Sequence, residues 1–335
     1  MNQLPWEKEK RNIITKKEHT TNPNWGKLPS ERTIEEHIEN GVINLNKNAG
    51  PTSHIVANWA KKILHVEKAG HGGTLDPNVT GCLIIAIGNS TKILRTMLEG
   101  GKEYVCMMHI HKPAKESEIR KVMGSFLGTI SQMPPKKSNV KRVLRTRTVY
   151  YIEIIEIKEQ DVLFRVGCAA GTYIRTLCMD IGKKLKTGAH MQQLVRTKSG
   201  TFNDKEKLVT LQDLTDAYDF WKNDNNEKFL RYCIQPVEKA VEHIKKIWVG
   251  DASVAAICSG AKLAVPGVSK LHDNINKGDL VAIMSLKEEL VALGRAEMTS
   301  SEIMKNSKGI ATSIERVVMP QHVYPKLWKN KNKPL

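Results

Sequence analysis

Residues Cys82 to Ile87 form an unbroken apolar run between Thr80-Gly81 and Gly88, the feature that most narrows what this chain can fold into. A short apolar run with turn residues at both ends reads as a buried strand. Immediately before it stands His71-Gly72-Gly73-Thr74-Leu75-Asp76-Pro77, which places a single carboxylate on a glycine-rich turn leading into that strand. Glycines permit backbone conformations that other residues resist, and Pro77 fixes the chain just after the acid. Asp76 is therefore held in one orientation, as a displayed nucleophile must be, although an isolated Leu-Asp-Pro is most often an ordinary turn. Only its surroundings decide between the two.

The neighbouring elements follow from local signals. Residues 1–32 mix charges, asparagines and prolines without periodicity, which predicts an irregular arm ordered only by packing on something else. Thr33-Ile34-Glu35-Glu36 fits a capping box, Gly41 sits where the helix stops, and a strand follows from Val42 to Asn46. Thr52 or Ser53 caps a second helix reaching His65, with Ile55, Trp59 and Ile63 as its apolar face. A helix near 90–98, a strand from Lys102 to His111, a helix over 116–124, paired strands near 147–157 and 161–169 and a helix from Thr172 to Lys186 continue the chain. This irregular alternation predicts an α+β domain built on a mixed sheet. Beyond Ile247 the pattern changes to short strands punctuated by Pro266-Gly267, Lys277-Gly278-Asp279 and Gly294, which predicts a second, mostly β domain, a small β-barrel.

Composition enters through charge. Lysine and arginine outnumber aspartate and glutamate 52 to 35, a formal charge of +17, and point to a polyanionic partner, either nucleic acid or an anionic membrane surface. No apolar run approaches the ~20 residues of a membrane span and no amino-terminal stretch resembles a signal peptide, so a cytoplasmic protein is expected. The six cysteines are scattered without a Cys-x-x-Cys pair and read as reduced core residues. His109 and His111 share one face of a strand, but no third metal ligand lies nearby in sequence, and no metal is expected. Phosphate-loop, dinucleotide, serine-elbow and His-Glu-x-x-His motifs are all absent.

Three further segments bear on Asp76. In Ala170-Gly171-Thr172-Tyr173-Ile174-Arg175, Thr172 as helix cap places Arg175 in the first turn. Positive charge there opposes the helix dipole, so Arg175 is best understood as serving an acidic partner, or else as a solvated arginine. Tyr104, in Lys102-Glu103-Tyr104-Val105-Cys106, either stacks on a nucleobase or fills the core. Between Lys136 and Arg147 stand Lys136, Lys137, Lys141, Arg142, Arg145 and Arg147 with no acid among them, a pattern suited to phosphate contact without base specificity. The tail Lys326 to Lys333 is a weaker version of it.

Lys47 to Ser53, Gly70 to Gly81, Lys102 to Cys106, Gly171 to Leu177, Gly188-Ala189-His190-Met191 and Arg196-Thr197-x-x-Gly200-x-Phe202 occur in an order that resembles one family. It is the pseudouridine synthase family that contains the bacterial stand-alone tRNA enzyme and the guide-RNA enzyme dyskerin, and the likeness is greatest to its archaeal form. Gly260 to Gly267, Gly278-Asp279-Leu280-Val281, Ala292-Leu293-Gly294 and Val318-Met319-Pro320 resemble a PUA domain, a small RNA-binding barrel. The resemblance implies a catalytic domain over 33–245 and a PUA-like domain over 246–322, set between the irregular arm over 1–32 and a basic tail over 323–335. It implies that Asp76 is the nucleophile of uridine isomerisation, without metal or organic cofactor. It further implies that Arg175 pairs with Asp76, Tyr104 stacks on the target base, Tyr173 and Leu194 line the pocket, and His71 and Lys47 support substrate loops. Asn48 stands where the family usually has proline, which leaves the loop around Lys47 less defined.

The expected role is the catalytic subunit of an H/ACA guide-RNA particle. Guide RNA, ribosomal RNA or the T-arm of tRNA, and small protein subunits are its implied partners. A guide-independent tRNA enzyme is the nearest alternative, and a non-catalytic RNA-binding scaffold the alternative from another class.

Overall fold

The computed structural model describes residues 3–134, 141 and 143–327. Lys136, Lys137, Arg142 and the tail from 328 onward lie outside the described residues. Two sheets organise the chain. Among the described residues the first has ten strands, with main order Gln235–Pro236, Gly41–Lys47, Thr80–Ile87, Ala189–Ser199, Lys102–Ile110, Asp161–Cys168, Arg145–Lys158 and Gly128–Gln132. The short strands Ala69–His71 and Phe202–Asn203 pair with Thr80–Ile87 and Ala189–Ser199. Its ladders are antiparallel except where Thr80-Gly81 runs parallel to Val195-Arg196, so the sheet is mixed, as expected.

The apolar run is buried on both faces, and each face has its own core. Leu83, Ile85 and Ile87 join one core with Leu45, Val56, Cys106 and Leu177. Ile84 and Ala86 point the opposite way, into a core shared with Trp248, Ala282, Met284 and Leu293 of the second sheet. Side chains alternate across a strand, so one unbroken run welds two layers together. Each fully buried Leu or Ile contributes roughly 1.5–3 kcal/mol. Arg32 reinforces the joint through a two-pronged pair with Glu238, at 2.7 and 2.9 Å, and Glu238 also accepts from the Leu290 amide.

Among the described residues the second sheet has seven strands in the order Ile13–Thr15, Val268–His272, Lys245–Val249, Leu280–Ser285, Leu290–Ala296, Ile310–Val317 and Leu263–Ala264, and helix Asp251–Cys258 contributes Val254 and Ile257 to its core. Its outer strand corrects the reading of the amino-terminal arm as irregular. Residues 13–15 pair antiparallel with Lys270, Leu271 and His272, and Leu4 of the arm is fully buried. A three-residue strand is too short to show a period, which is why the sequence hid it.

Local signals placed most helices. Thr33 and Glu36 close the predicted capping box ahead of helix Ile34–Glu39, and Thr52 caps helix Ser53–Ile63. The face of that second helix is another matter. Ile55 and Trp59 are 41% and 42% exposed, while Val56, Ala57, Ala60 and Leu64 are buried. The helix packs against strand Ala69–His71, and Ile63, the third residue of the predicted face, is partly buried against the core. The segment near 90–98 divides into a 3-10 turn, Gly88–Ile93, and a short α-helix, Leu94–Glu99.

Candidate active site

The loop between Ala69–His71 and Thr80–Ile87 is braced from beneath. Leu75 is buried, and the Ser53 hydroxyl both accepts from its amide at 2.9 Å and donates to its carbonyl at 3.2 Å. Lys47, 1% exposed, donates to the carbonyls of Asn48, Pro77 and Val79 at 2.8, 2.8 and 2.9 Å. Its burial, then the nearby Arg196, pushes its ammonium below the usual lysine range. Asn48 therefore takes part in the brace through its carbonyl, which any residue supplies. The Asp76 carbonyl accepts from the Val79 amide at 3.0 Å, closing the turn that displays the acid.

Asp76 projects from this rigid turn with its side chain half exposed, and its carboxylate forms an ion pair with Arg175. Arg175 is the second residue of helix Ile174–Lys184, in the first turn as expected. The predicted cap is wrong. Tyr173 occupies the N-cap, and Thr172 turns its hydroxyl back to the Ala169 carbonyl at 2.7 Å. The cap is supplied from elsewhere: the Gln132 side chain donates to the Tyr173 carbonyl at 3.1 Å and accepts from its amide at 3.0 Å.

The sheet beneath carries the remaining predicted residues. Tyr104 lies opposite Arg196, and Cys106 opposite Leu194, on neighbouring strands. Cys106 Sγ is 3.6 Å from Cys178 Sγ of helix Ile174–Lys184, so Tyr104, two residues along the pleat, shares the face under that helix. Tyr104 is only 9% exposed and packs in the core, and burial raises its phenol above the usual range. Leu194 is half-buried against the same core. His71 opens the loop half-buried, its Nδ1 without a hydrogen-bond partner among the described residues. Burial, then Arg196 and His54, lowers its pKa and favours the neutral imidazole.

Two further residues, Arg196 and Lys102, went unassigned in the sequence. Arg196 is 1% exposed and spans from sheet to loop, Nε donating to the Cys82 carbonyl at 2.7 Å and Nη2 to the Gly73 carbonyl at 3.1 Å. Gly81 admits it: at φ +99, a side chain there would bring Cβ within 2.3 Å of the Arg196 carbonyl. Lys102, 4% exposed, donates to the carbonyls of Met97, Leu98 and Gly100 at 3.1, 2.8 and 2.5 Å. Burial, then Arg196, pushes it down to about 7. Both residues sit in segments that the family resemblance had marked, which was the available signal.

Of the basic run, Arg145 and Arg147 lie on strand Arg145–Lys158 opposite Gln132 and Ile130, and Lys141 is exposed. The Arg147 guanidinium packs beside Gly171, 3.0 Å from where a Cβ would stand, which brings this strand to the loop leading to Arg175. At the far end of the central strand His109 meets Asp161 at 2.6 Å, and His111 meets His190, the third imidazole, at 2.9 Å. Among the described residues no group of three or more His, Cys, Asp or Glu is arranged to hold a metal ion, and no helix is long and apolar enough to cross a membrane. All six cysteines are free and buried.

Comparison with known proteins gives this arrangement its class. Sequence patterns of the TruB family pseudouridylate synthase N-terminal domain match residues 61–174, and those of the tRNA pseudouridylate synthase B C-terminal domain match 175–242. The PUA domain matches 245–318, and the DKCLD domain 1–57. A probable tRNA pseudouridine synthase B of Pyrococcus furiosus is 56% identical over 325 residues, 97% of this chain and 96% of its own length. One of Methanosarcina barkeri is 52% identical over 328 residues, 98% of this chain and 96% of its own. The chain belongs to the TruB family of pseudouridine synthases, with an appended PUA domain. Among solved structures, a chain of a Cbf5-Nop10-Gar1 complex superposes with a TM-score of 0.92 at 56% identity, over 96% of this chain and 98% of that one. A chain of an H/ACA RNP bound to a substrate RNA containing 2′-deoxyuridine gives 0.91 at 54% identity, over 97% and 100%.

Proposed function

We propose that this enzyme converts chosen uridines of RNA into pseudouridine as the catalytic subunit of an H/ACA guide-RNA particle, with Asp76 as the nucleophile. The observation that carries the assignment is the Asp76–Arg175 ion pair on a turn whose backbone is clamped by buried Lys47 and Ser53. A target uridine flips out of its stack to reach the carboxylate. The bond between ribose C1′ and N1 breaks, the base turns, C1′ bonds to C5, the C5 proton leaves to solvent and N1 takes up a proton in its place. The reaction is an isomerisation with no net change of electrons.

Arg175 holds the Asp76 carboxylate in place through its opposite charge. Two unit charges about 4 Å apart attract by about 1 kcal/mol in water and about 4 kcal/mol at an effective dielectric near 20. Bound RNA excludes water from the half-exposed pair, so the arginine's hold tightens as the site fills. Tyr104 and Leu194 form the floor against which the base turns, Tyr173 the rim, and His71 and Lys47 support the loops. Lys141, Arg145 and Arg147, together with Lys136, Lys137 and Arg142, take RNA phosphates. Residues 33–245 act as the catalytic domain and 246–322 as the RNA anchor, with the arm over 1–32 and the basic tail over 323–335. Small protein subunits of the kind named in the matched complexes complete the particle, which works in the cytoplasm.

Guide-independent action on tRNA is a second reading, favoured by the names of the curated relatives. Release of tritium from C5-labelled uridine separates the two. The purified chain is given unmodified tRNA, or ribosomal RNA with guide RNA and partner subunits. The particle reading expects conversion of the ribosomal target only when its guide is present. Conversion indifferent to the guide rejects it.

A further inference from the structure

The helix carrying Arg175 has no side-chain cap of its own, and its first residues owe their position to one distant amide. Gln132 is 2% exposed and ends strand Gly128–Gln132. Its side chain grips both polar groups of one peptide residue, donating to the Tyr173 carbonyl at 3.1 Å and accepting from the Tyr173 amide at 3.0 Å. That carbonyl also takes the first helical bond, from the Leu177 amide at 3.0 Å. A buried primary amide is costly unless donor and acceptor are both satisfied, and here both are satisfied by the same residue, as a strand partner would do it. Thr172, the residue that would ordinarily cap, is committed to Ala169.

The position of Gln132 matters as much as its bonds. It pairs with Arg145, so it closes the hairpin whose connection, residues 133–144, holds most of the basic run. The next strand touches the same segment again, through Arg147 beside Gly171. Residues 171–175 are thus held at two points by the hairpin that also bears the phosphate-binding charges, and Arg175 follows two residues after the point Gln132 grips.

We propose that Gln132 is a positioning residue for the isomerisation: it fixes the amino-terminal end of helix Ile174–Lys184, and through it Arg175 against Asp76. This rests on the reading of the Asp76–Arg175 pair as the reacting centre. Displacement of a reacting group by about 1 Å costs on the order of a hundredfold in rate. Replacement of Gln132 therefore slows chemistry while leaving RNA affinity in place.

The test uses the full chain with one labelled RNA, measuring single-turnover rate, RNA dissociation constant and melting temperature for Gln132→Met and Gln132→Glu. Gln132→Met is expected to lose at least roughly tenfold in rate with the dissociation constant changed by less than about twofold. Gln132→Glu accepts from the Tyr173 amide, but when ionised it repels the carbonyl and regains a donor only on protonation. Its rate relative to the parent is expected to rise as pH falls from 8 to 5.5, whereas the ratio for Gln132→Met stays flat. Wild-type rates in Gln132→Met overturn the proposal, as does a loss that tracks weaker RNA binding or unfolding at the assay temperature. Asp76→Asn run alongside separates the two claims: if it is inactive while Gln132→Met is normal, only the positioning role fails. If Asp76→Asn is active, the reading of the centre fails.

Discussion

Arg196→Met isolates what the buried guanidinium does. Two charge-assisted hydrogen bonds are lost, to Cys82 at 2.7 Å and Gly73 at 3.1 Å. Each such bond is worth about 1.5–3 kcal/mol net, so their loss alone costs roughly 3–6 kcal/mol. Removing the cation also removes its desolvation penalty, which amounts to several kcal/mol for a buried ion and acts in the opposite direction. The two orphaned carbonyls decide the sign, because a flexible methionine offers them no donor and unmet buried groups cost about 1–3 kcal/mol each. A net loss of roughly 2–4 kcal/mol follows, a fall of about 3–6 °C in melting temperature for a chain of this size, whose unfolding entropy is about 2.1 cal/mol/K per residue. Gly73 is three residues from Asp76, so catalytic rate at saturating RNA falls as well. Thermal unfolding followed by circular dichroism reads the first quantity, and tritium release reads the second. Unchanged or raised stability would show that the fork relieves nothing, and unchanged rate would show that the loop does not depend on it.

Other expectations follow from the same geometry. Lys102, held near 7 by burial, binds fewer protons folded than unfolded between about pH 7 and its unfolded value of about 10.4. Its contribution to stability therefore rises with pH across that window, and denaturant titrations at pH 6 and 9 should show the wild type gaining on Lys102→Met; a constant difference would contradict the burial argument. On helix Ser53–Ile63, Ala60→Leu forces bulk into a fully buried contact and should cost about 1–3 kcal/mol. Trp59→Ala, on the exposed face, should stay within about 1 kcal/mol. The reverse order in chemical denaturation would restore the Ile55-Trp59-Ile63 face as the packed one.

What the sequence disclosed was what neighbours in the chain decide. Thr33 with Glu36, and Thr52 ahead of Ile55, are caps made within one turn, and the structure keeps them. The apolar run Cys82 to Ile87 announced a buried strand, but not that its alternate faces serve different cores, since the second-sheet strands that meet its other face, from Lys245–Val249 onward, lie more than 150 residues later. The misread part of the helix face, Ile55 and Trp59, has a simple cause: periodicity weights large side chains, and here Val56, Ala57 and Ala60 are buried instead, with Ile63 partly buried against the same core. Thr172 looked like a cap because it has the right chemistry in the right place, yet the cap came from Gln132, 41 residues away. Arg196 carries no local mark of its task, because its partners are 114 and 123 residues distant. The Asp76–Arg175 pair was legible for a different reason: an arginine set against its own helix dipole needs an acid, and the glycine-rich turn offered one.

The central claim is that Asp76 is the nucleophile, and one measurement tests it most directly. Tritium release from C5-labelled uridine in RNA is compared between the wild-type chain and Asp76→Asn, with RNA affinity measured on the same samples. Asparagine keeps the size of the side chain and removes its charge, so turnover should vanish while binding persists. Undiminished release by Asp76→Asn would contradict the assignment and move the chemistry to another residue.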